Sequence, residues 1–135
     1  MNIKELTQLF DYRFVKIGHP TYILGARFLF SYAFHSIPCL RFEVELKGKK
    51  FFFSADTFYN PPKLKELYEK GILSKGRYES LANVDFEKYD LILHEAGIPP
   101  IHTPMDVLKS LPDKVKKNLY LYHIAAKDIP KDCGL

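Results

Sequence analysis

Residues 40–54 constrain the fold of this chain more than any other segment, because they carry the pattern of two paired β-strands. From Leu40 to Leu46 apolar residues alternate with charged ones, as in a strand with one buried and one solvated face. Lys47-Gly48-Lys49 supplies a hairpin turn, and Lys50–Ser54 continues as the second strand. Together with the apolar, aromatic-rich residues 22–34, this pattern predicts antiparallel β-sheet for the first part of the chain.

The second part of the chain alternates helices with strands. Asn60 followed by two prolines is typical of a helix start, and Gly71 of its end. Thr103-Pro104 is predicted to cap a further helix, which ends before Pro112. The remaining predicted elements are an amphipathic helix over residues 2–10, a helix over Arg77–Asn83, and strands over Tyr89–Leu93 and Leu119–Tyr122.

The composition is that of an ordinary globular domain. With 135 residues, 47% hydrophobic and 27% charged, we expect a single domain over residues 1–135. No apolar stretch is long enough to cross a membrane, and the N-terminus resembles no signal peptide, so we expect a cytoplasmic protein with Cys39 and Cys133 as free thiols. The net charge of +4 is scattered, and its densest cluster, Lys47–Lys50, fits a solvated hairpin turn better than a nucleic-acid surface.

Ionisable side chains follow three of the predicted strands. Asp56 comes after Lys50–Ser54, His94 and Glu95 after Tyr89–Leu93, and His123 after Leu119–Tyr122. In α/β sheets ligands bind beyond the carboxyl ends of the strands, so these side chains can converge on one site. Carboxylate and imidazole groups suit zinc and neighbouring metals.

The amino-acid sequences of these segments resemble the motifs of one known superfamily. Ser54-Ala55-Asp56-Thr57 is similar to the S-G-D-T segment of the metallo-β-lactamase superfamily, with Ala55 in place of glycine. Leu93–Gly97 resembles the H-E-A-T segment of its RNase Z branch, with Gly97 in place of threonine, and His123-Ile124 resembles the H-I-S segment. Residues 34–38 also resemble the stretch that precedes the aspartate strand, and all four segments occur in the family order.

This resemblance implies a fold and a set of roles. The fold would be α/β, with a mixed, mostly antiparallel sheet and helices on one face, which is half of an αββα sandwich. Asp56 would bridge two divalent metal ions, zinc or another pair, and His123 would ligate one of them. His94 would face the scissile phosphate of RNA or a cyclic nucleotide, and Glu95 would orient it.

One part of the family pattern is missing. The sequence has no H-x-H-x-D-H motif, which supplies most of the metal ligands in the family. We therefore expect a C-terminal portion of such a hydrolase, with weak or absent metal binding and no activity by itself. The missing N-terminal half, or a second copy in a homodimer, would cover the exposed sheet face.

Each candidate residue also has a structural interpretation. Asp56 suits a cap of the turn before Pro61, His94 and Glu95 a solvated loop pair, and His123 an ordinary strand-end histidine. His35 is interpreted as structural, and His102 as the entrance to the next helix. For the chain as a whole, the alternatives are a non-catalytic binding or assembly module that keeps the sheet, and a small basic nucleic-acid-binding domain.

Overall fold

The structure is a computed structural model that describes residues 8, 10 and 13–129. The helix predicted for residues 2–10 lies largely outside the described residues, and so does Cys133. The strands are β1 (Pro20–Ile23), β2 (Ala26–Tyr32), β3 (Leu40–Leu46), β4 (Lys49–Phe53), β5 (Leu91–Glu95) and β6 (Leu119–Tyr122). The helices are α1 (Pro61–Glu69), α2 (Lys75–Ala82), α3 (Met105–Lys109) and α4 (Asp113–Lys116), with 3-10 turns at Phe86–Lys88 and Ala126–Asp128.

One six-stranded sheet contains all these strands in the order β1-β2-β3-β4-β5-β6. The first three pairings are antiparallel, while β4 with β5 and β5 with β6 are parallel. The predicted mixed, mostly antiparallel sheet is therefore confirmed. Its parallel part places the carboxyl ends of β4, β5 and β6 at one edge, as the sequence indicated.

Two tight turns set the register of the antiparallel part. Lys47 and Gly48 both have positive φ, 50° and 75°, which matches the right-handed twist of a hairpin. Leu24 and Gly25 repeat this geometry between β1 and β2, with φ of 49° and 81°. The hairpin at Lys47-Gly48 was predicted from the sequence. The hairpin at Leu24-Gly25 was not, because it lies within the apolar run of residues 22–34.

The helices largely follow their capping residues. The Asn60 side chain accepts a hydrogen bond from the backbone N–H of Lys63 at 3.2 Å, and Gly71 follows α1 with φ of 73°. Two details of the sequence prediction were wrong. The second helix starts earlier than Arg77, because Ser74 caps it, and Pro104 rather than Thr103 occupies the cap position of α3.

The described helices pack on one face of the sheet. Phe52 and Ile92 from the central strands are buried there against Leu108 of α3 and Val115 of α4. On the same face Arg41 of β3 reaches across to Ser80 of α2. The predicted placement of the helices on one face agrees with this arrangement.

The opposite face of the sheet carries apolar side chains that the described residues leave partly open. A line of rings crosses it from β2 to β6, with centroid distances of 5.8 Å from Phe30 to Phe42, 5.0 Å from Phe42 to Phe53, and 5.2 Å from Phe53 to Tyr122. Leu40, Leu46 and Leu93 flank this line and are between 36% and 39% exposed.

Among the described residues, no helix has the length and apolar character that crossing a membrane requires.

Candidate metal centre

Asp56 is presented by a tight turn at the end of β4. The preceding Ala55 has a φ of 51°, a left-handed conformation that favours glycine. Ser54 is fully buried and fixes this turn, because its hydroxyl donates to the Ala55 carbonyl at 2.7 Å and accepts from the Glu95 N–H at 2.9 Å. The aspartate therefore sits on a constrained loop tied directly to the neighbouring strand, at the carboxyl edge of the sheet.

His94 and Glu95 are adjacent in β5 and point to opposite faces of the sheet, since successive strand residues alternate. The His94 ring is only 1% exposed and lies among Tyr59, Phe86 and Phe52, with centroids 5.8, 5.9 and 6.5 Å away. Burial lowers its pKa to about 4, so the ring is neutral at pH 7.

This position does not suit the role that the family resemblance implied for His94. Its Nδ1 lies 2.8 Å from the Glu95 carbonyl oxygen, and its ring packs inside the core beneath the sheet. A side chain in that position is not available to a scissile phosphate. The strand continues to Glu95, two residues further than predicted, so both residues follow the alternation of a strand rather than the free geometry of a loop.

Glu95 lies on the same side of the strand as the Asp56 loop and is fully buried. Its Oε1 accepts a hydrogen bond from the Thr103 N–H at 2.7 Å. Its Oε2 is 3.0 Å from His102 Nδ1 and 3.7 Å from His123 Nδ1. The carboxylate is thus held by the 102–103 segment on one side and faces two imidazoles on the other.

His102 is a member of this group that the sequence analysis assigned to the entrance of a helix. Its ring centroid lies 4.8 Å from that of His123 and 5.5 Å from that of His35. Gly97 makes this position accessible, because a Cβ at residue 97 would lie 2.8 Å from the Cβ of His102. The glycine that replaces the family threonine is therefore matched to a histidine five residues later.

His123 follows β6 with a φ of 61°, an uncommon backbone conformation for a residue other than glycine. Its Nδ1 lies 3.8 Å from Asp56 Oδ1. The side chains of both residues are partly exposed, 47% for His123 and 38% for Asp56. The structure therefore brings together Asp56, Glu95 and His123 of the predicted residues, and leaves out His94.

A set of buried hydrogen bonds holds these segments in place. The Thr103 hydroxyl donates to the Thr57 carbonyl at 2.8 Å and accepts from the Tyr59 N–H at 2.9 Å. On the neighbouring strand, the Tyr122 hydroxyl lies 3.2 Å from Ser54 Oγ, and burial raises the pKa of this phenol to about 12. The turn after β4, the end of β5 and the 102–103 segment therefore behave as one connected unit.

A cavity of about 290 Å³ opens beside the two imidazoles. His102 and His123 line it together with the apolar residues Ile98, Met105 and Ile124. The carboxylate-bearing Asp128 also lines it. A lining that combines apolar side chains with a few polar groups is typical of small-ligand sites.

The residues present fit a divalent metal ion. Glu95, His102 and His123 each offer one ligand atom, and these atoms lie within 4.8 Å of one another. Nitrogen and oxygen donors of this kind suit zinc and similar ions. The buried carboxylate supplies a negative charge that a cation would compensate.

The fold has a counterpart among solved structures. The metallo-β-lactamase fold protein YhfI from Bacillus subtilis superposes with a TM-score of 0.58 over 94% of this chain and 50% of its own, at 12% sequence identity. The chain therefore has the metallo-β-lactamase fold and corresponds to about half of one such protein. No protein-family model matches the sequence.

Sequence comparison adds two more specific relatives, both from Dictyostelium discoideum. The chain is 45% identical over 130 residues to the cGMP-dependent 3',5'-cGMP phosphodiesterase A, and 46% identical over 112 residues to the cAMP/cGMP-dependent 3',5'-cAMP/cGMP phosphodiesterase B. These matches cover 96% and 83% of this chain, but only 15% and 10% of the two relatives. The chain thus has the metallo-β-lactamase fold, and both of these relatives, of which it spans only a small part, are named as phosphodiesterases.

Proposed function

We propose that this chain is one half of a metal-dependent phosphodiesterase that hydrolyses 3',5'-cyclic nucleotides. The observation that carries the proposal is the meeting of Asp56 and His123, which come from separate strands and lie 3.8 Å apart beside the buried Glu95. Both sequence relatives are named as cyclic-nucleotide phosphodiesterases. Bound divalent ions, zinc in the first instance, would polarise a phosphoryl oxygen and activate water.

The residues of this chain would bind the metal ions, orient the Glu95 carboxylate and receive part of the substrate. Asp56 and His123 would hold the metal ions, and the hydrogen bond from Thr103 would keep the Glu95 carboxylate facing them. The cavity beside His123 would receive the organic part of the substrate against Ile98, Met105 and Ile124. His94 has a structural role in this scheme, because its ring is enclosed in the core.

A cyclic nucleotide suits this site better than RNA as the substrate. The cavity of about 290 Å³ is of the size that a single small ligand needs, and the net charge of the chain is only +4 without a dense basic cluster. The chain alone is proposed to be inactive, because its sequence lacks the H-x-H-x-D-H motif that would supply the other metal ligands.

A chimeric enzyme tests the proposal. The matched segment of the Dictyostelium cGMP phosphodiesterase A would be replaced by this chain, which is 45% identical to it. We expect the chimera to hydrolyse cGMP, and we expect D56N and H123A to lower kcat/KM by at least about 100-fold, since even indirect disturbance of metal ligands costs 10–100-fold. H19A, which removes an exposed histidine far from the site in sequence, is the matched control.

Three results are decisive. Loss of activity in D56N and H123A but not in H19A supports the proposal. Full activity in D56N and H123A contradicts it. A chimera that is folded and inactive, with circular dichroism and elution volume like those of the parent enzyme, favours the non-catalytic binding or assembly module instead.

A further inference from the structure

We propose that Asp128 makes the cavity beside His123 selective for guanine over adenine. The inference rests on the proposed function, because it takes a 3',5'-cyclic nucleotide as the ligand and names the base that the cavity prefers. It concerns the contacts to the base rather than those to the metal ions. Two segments of the chain carry it, residues 97–105 and residues 123–128, which together line the cavity.

The apolar part of the lining is the first observation. Ile98, Met105 and Ile124 come from separate stretches of the chain and line the same cavity. Ile98 is 77% exposed, so its side chain is accessible to a ligand. A flat aromatic base packs well against aliphatic side chains of this kind, because the surfaces of both leave water. This part of the cavity therefore suits the face of a base.

The size and place of the cavity are the second observation. Its volume of about 290 Å³ is close to the lower end of the range for small-molecule sites, about 300–1,000 Å³. His102 and His123 belong to the same lining, so a base held there would lie next to the edge of the sheet at which the phosphate is expected. The cavity therefore suits a single nucleotide.

Asp128 supplies a polar group that can distinguish one base from another. It belongs to the 3-10 turn Ala126–Asp128, in which its N–H donates to the Ala125 carbonyl at 2.8 Å. Its side chain is exposed and forms no ion pair with any residue that the structure describes. The cavity thus combines an apolar lining with one carboxylate whose oxygens are available to a ligand, and such polar groups give small-molecule sites their specificity.

Guanine and adenine differ at the edge that this carboxylate would meet. Guanine carries two adjacent donors there, the N1–H and the exocyclic N2–H, and an ionised carboxylate can accept from both through its two oxygens. Adenine carries an acceptor at N1 beside its amino group, and a carboxylate has no proton to donate to that acceptor. We expect a preference for guanine of about 10-fold, which is modest because Asp128 is exposed to water.

The test is nucleotide binding by the purified 135-residue chain, without added metal, followed by NMR. Methionine methyl groups labelled with ¹³C give a simple spectrum, because the sequence contains only Met1 and Met105. Met105 lines the cavity, and the variant M105L identifies its signal. We expect cGMP to shift this signal in a saturable manner, with a Kd about 10-fold lower than that of cAMP.

A pair of isosteric variants shows whether Asp128 is responsible. D128N is expected to remove the preference for cGMP, because an amide offers one acceptor oxygen instead of two and can pair with adenine through its own N–H. D106N is the matched control, since Asp106 is also exposed and directly follows Met105 but lines a different cavity. We expect D106N to keep the preference of the unmodified chain.

A preference for cGMP that D128N removes and D106N retains supports the inference. Equal binding of cGMP and cAMP, or a preference that persists in D128N, would overturn it. So would a Met105 signal that neither nucleotide shifts at up to about 10 mM, a concentration at which a site with a Kd of about 1 mM is mostly occupied.

Hydrolysis by the chimera separates this inference from the proposed function. D128N is expected to lower the ratio of kcat/KM for cGMP to that for cAMP by about 10-fold, whereas D56N and H123A lower both values. An active chimera whose ratio does not change in D128N would contradict the role of Asp128 alone. An inactive chimera would contradict the proposed hydrolysis, while the NMR titration still decides whether Asp128 selects the base.

Discussion

Neighbouring residues in β5 have opposite environments, and this shapes the chemistry available to each. Glu95 faces the imidazoles of the candidate metal centre, whereas His94 is enclosed by the aromatic rings of Tyr59, Phe86 and Phe52. Burial and the positive charge of Arg41 lower the pKa of His94, and the bond to the Glu95 carbonyl opposes this shift only in part. The core therefore requires His94 in its neutral form.

His94 should make the stability of the protein sensitive to acid. Its pKa is about 4 in the folded state and about 6.5 when unfolded, so between these values the unfolded chain binds a proton that the folded chain does not. Stability is fully present above about pH 6.5 and falls as the pH drops toward 4, by about 3 kcal/mol from this group. Urea unfolding at pH 7, 5.5 and 4.5 measures this loss.

H94L removes the titrating group and is expected to flatten that dependence, whatever its stability at pH 7. H19A should keep the slope of the unmodified chain, because that histidine is exposed. A slope that is the same in H94L and in the unmodified chain would show that other groups dominate the acid response.

At the scale of elements, two arginines fasten α2 to the sheet. The Arg41 guanidinium donates to the Ser80 carbonyl, to Ser80 Oγ at 3.2 Å and to Ser31 Oγ at 2.9 Å. Arg77, within α2, donates to the carbonyl oxygens of Tyr32 at 2.9 Å and Ala33 at 2.7 Å. The helix is thus held at the end of β2 by charge-assisted hydrogen bonds as well as by the packing of Leu81.

Removing the buried arginine should loosen this attachment. R41A leaves the Ser80 carbonyl without its donor and opens space beneath the sheet, so we expect the free energy of unfolding to fall by about 2–3 kcal/mol. K65A, on the exposed side of α1, should change it by less than about 0.5 kcal/mol. Equal urea midpoints for R41A and the unmodified chain would contradict this account of how α2 is held.

The sequence predicted those elements whose pattern is local. The alternation in β3 and the Lys47-Gly48 turn predicted the hairpin, and Asn60 and Gly71 predicted α1, because capping and turn residues act within a few positions. The hairpin at Leu24-Gly25 was not predicted, because leucine rarely adopts a positive φ and its presence does not indicate a turn. Thr103 was misassigned because it is bound by residues more than 40 positions away, namely Thr57 and Tyr59.

The candidate site was also predicted only in part from the sequence. Asp56 and His123 were expected to converge because each follows a strand, and ligands bind beyond the carboxyl ends of strands in α/β sheets; the structure places the two side chains 3.8 Å apart. His102 was missed because its approach to Glu95 depends on the open space at Gly97, which no periodic pattern reveals. His94 was misjudged because the strand extends to Glu95. Within a strand, successive side chains point to opposite faces, so His94 faces the core and Glu95 faces the other side.

At the scale of the whole molecule, one face of the sheet carries apolar side chains that the described residues leave partly open. Phe42, Val44 and Phe53 lie on it together with the partly exposed Leu40, Leu46 and Leu93. An open apolar surface of this kind is rare on monomers, and covering it contributes on the order of 25 cal/mol per Å². The chain also corresponds to only 50% of YhfI, so a longer protein would offer a second half to cover this face.

We expect the isolated chain to cover this face with a second copy and form a symmetric dimer. F42E places a charge at the centre of the face, next to Phe30 and Phe53, and should shift the population to monomer. K65E adds the same negative charge to the exposed side of α1 and should leave the dimer intact. Light scattering coupled to size exclusion measures both, and a monomeric unmodified chain at high concentration would count against this expectation.

The order of strands in the sheet has a consequence for how the protein is made. Each of β2 to β6 pairs with the strand that precedes it in the chain, with no more than two α-helices in between. During synthesis every new strand therefore emerges beside a partner that has already left the ribosome, and no strand waits for a distant segment to close a loop. The sheet can grow from its first hairpin toward the metal-ligand edge, which is completed last, when His123 emerges behind β6.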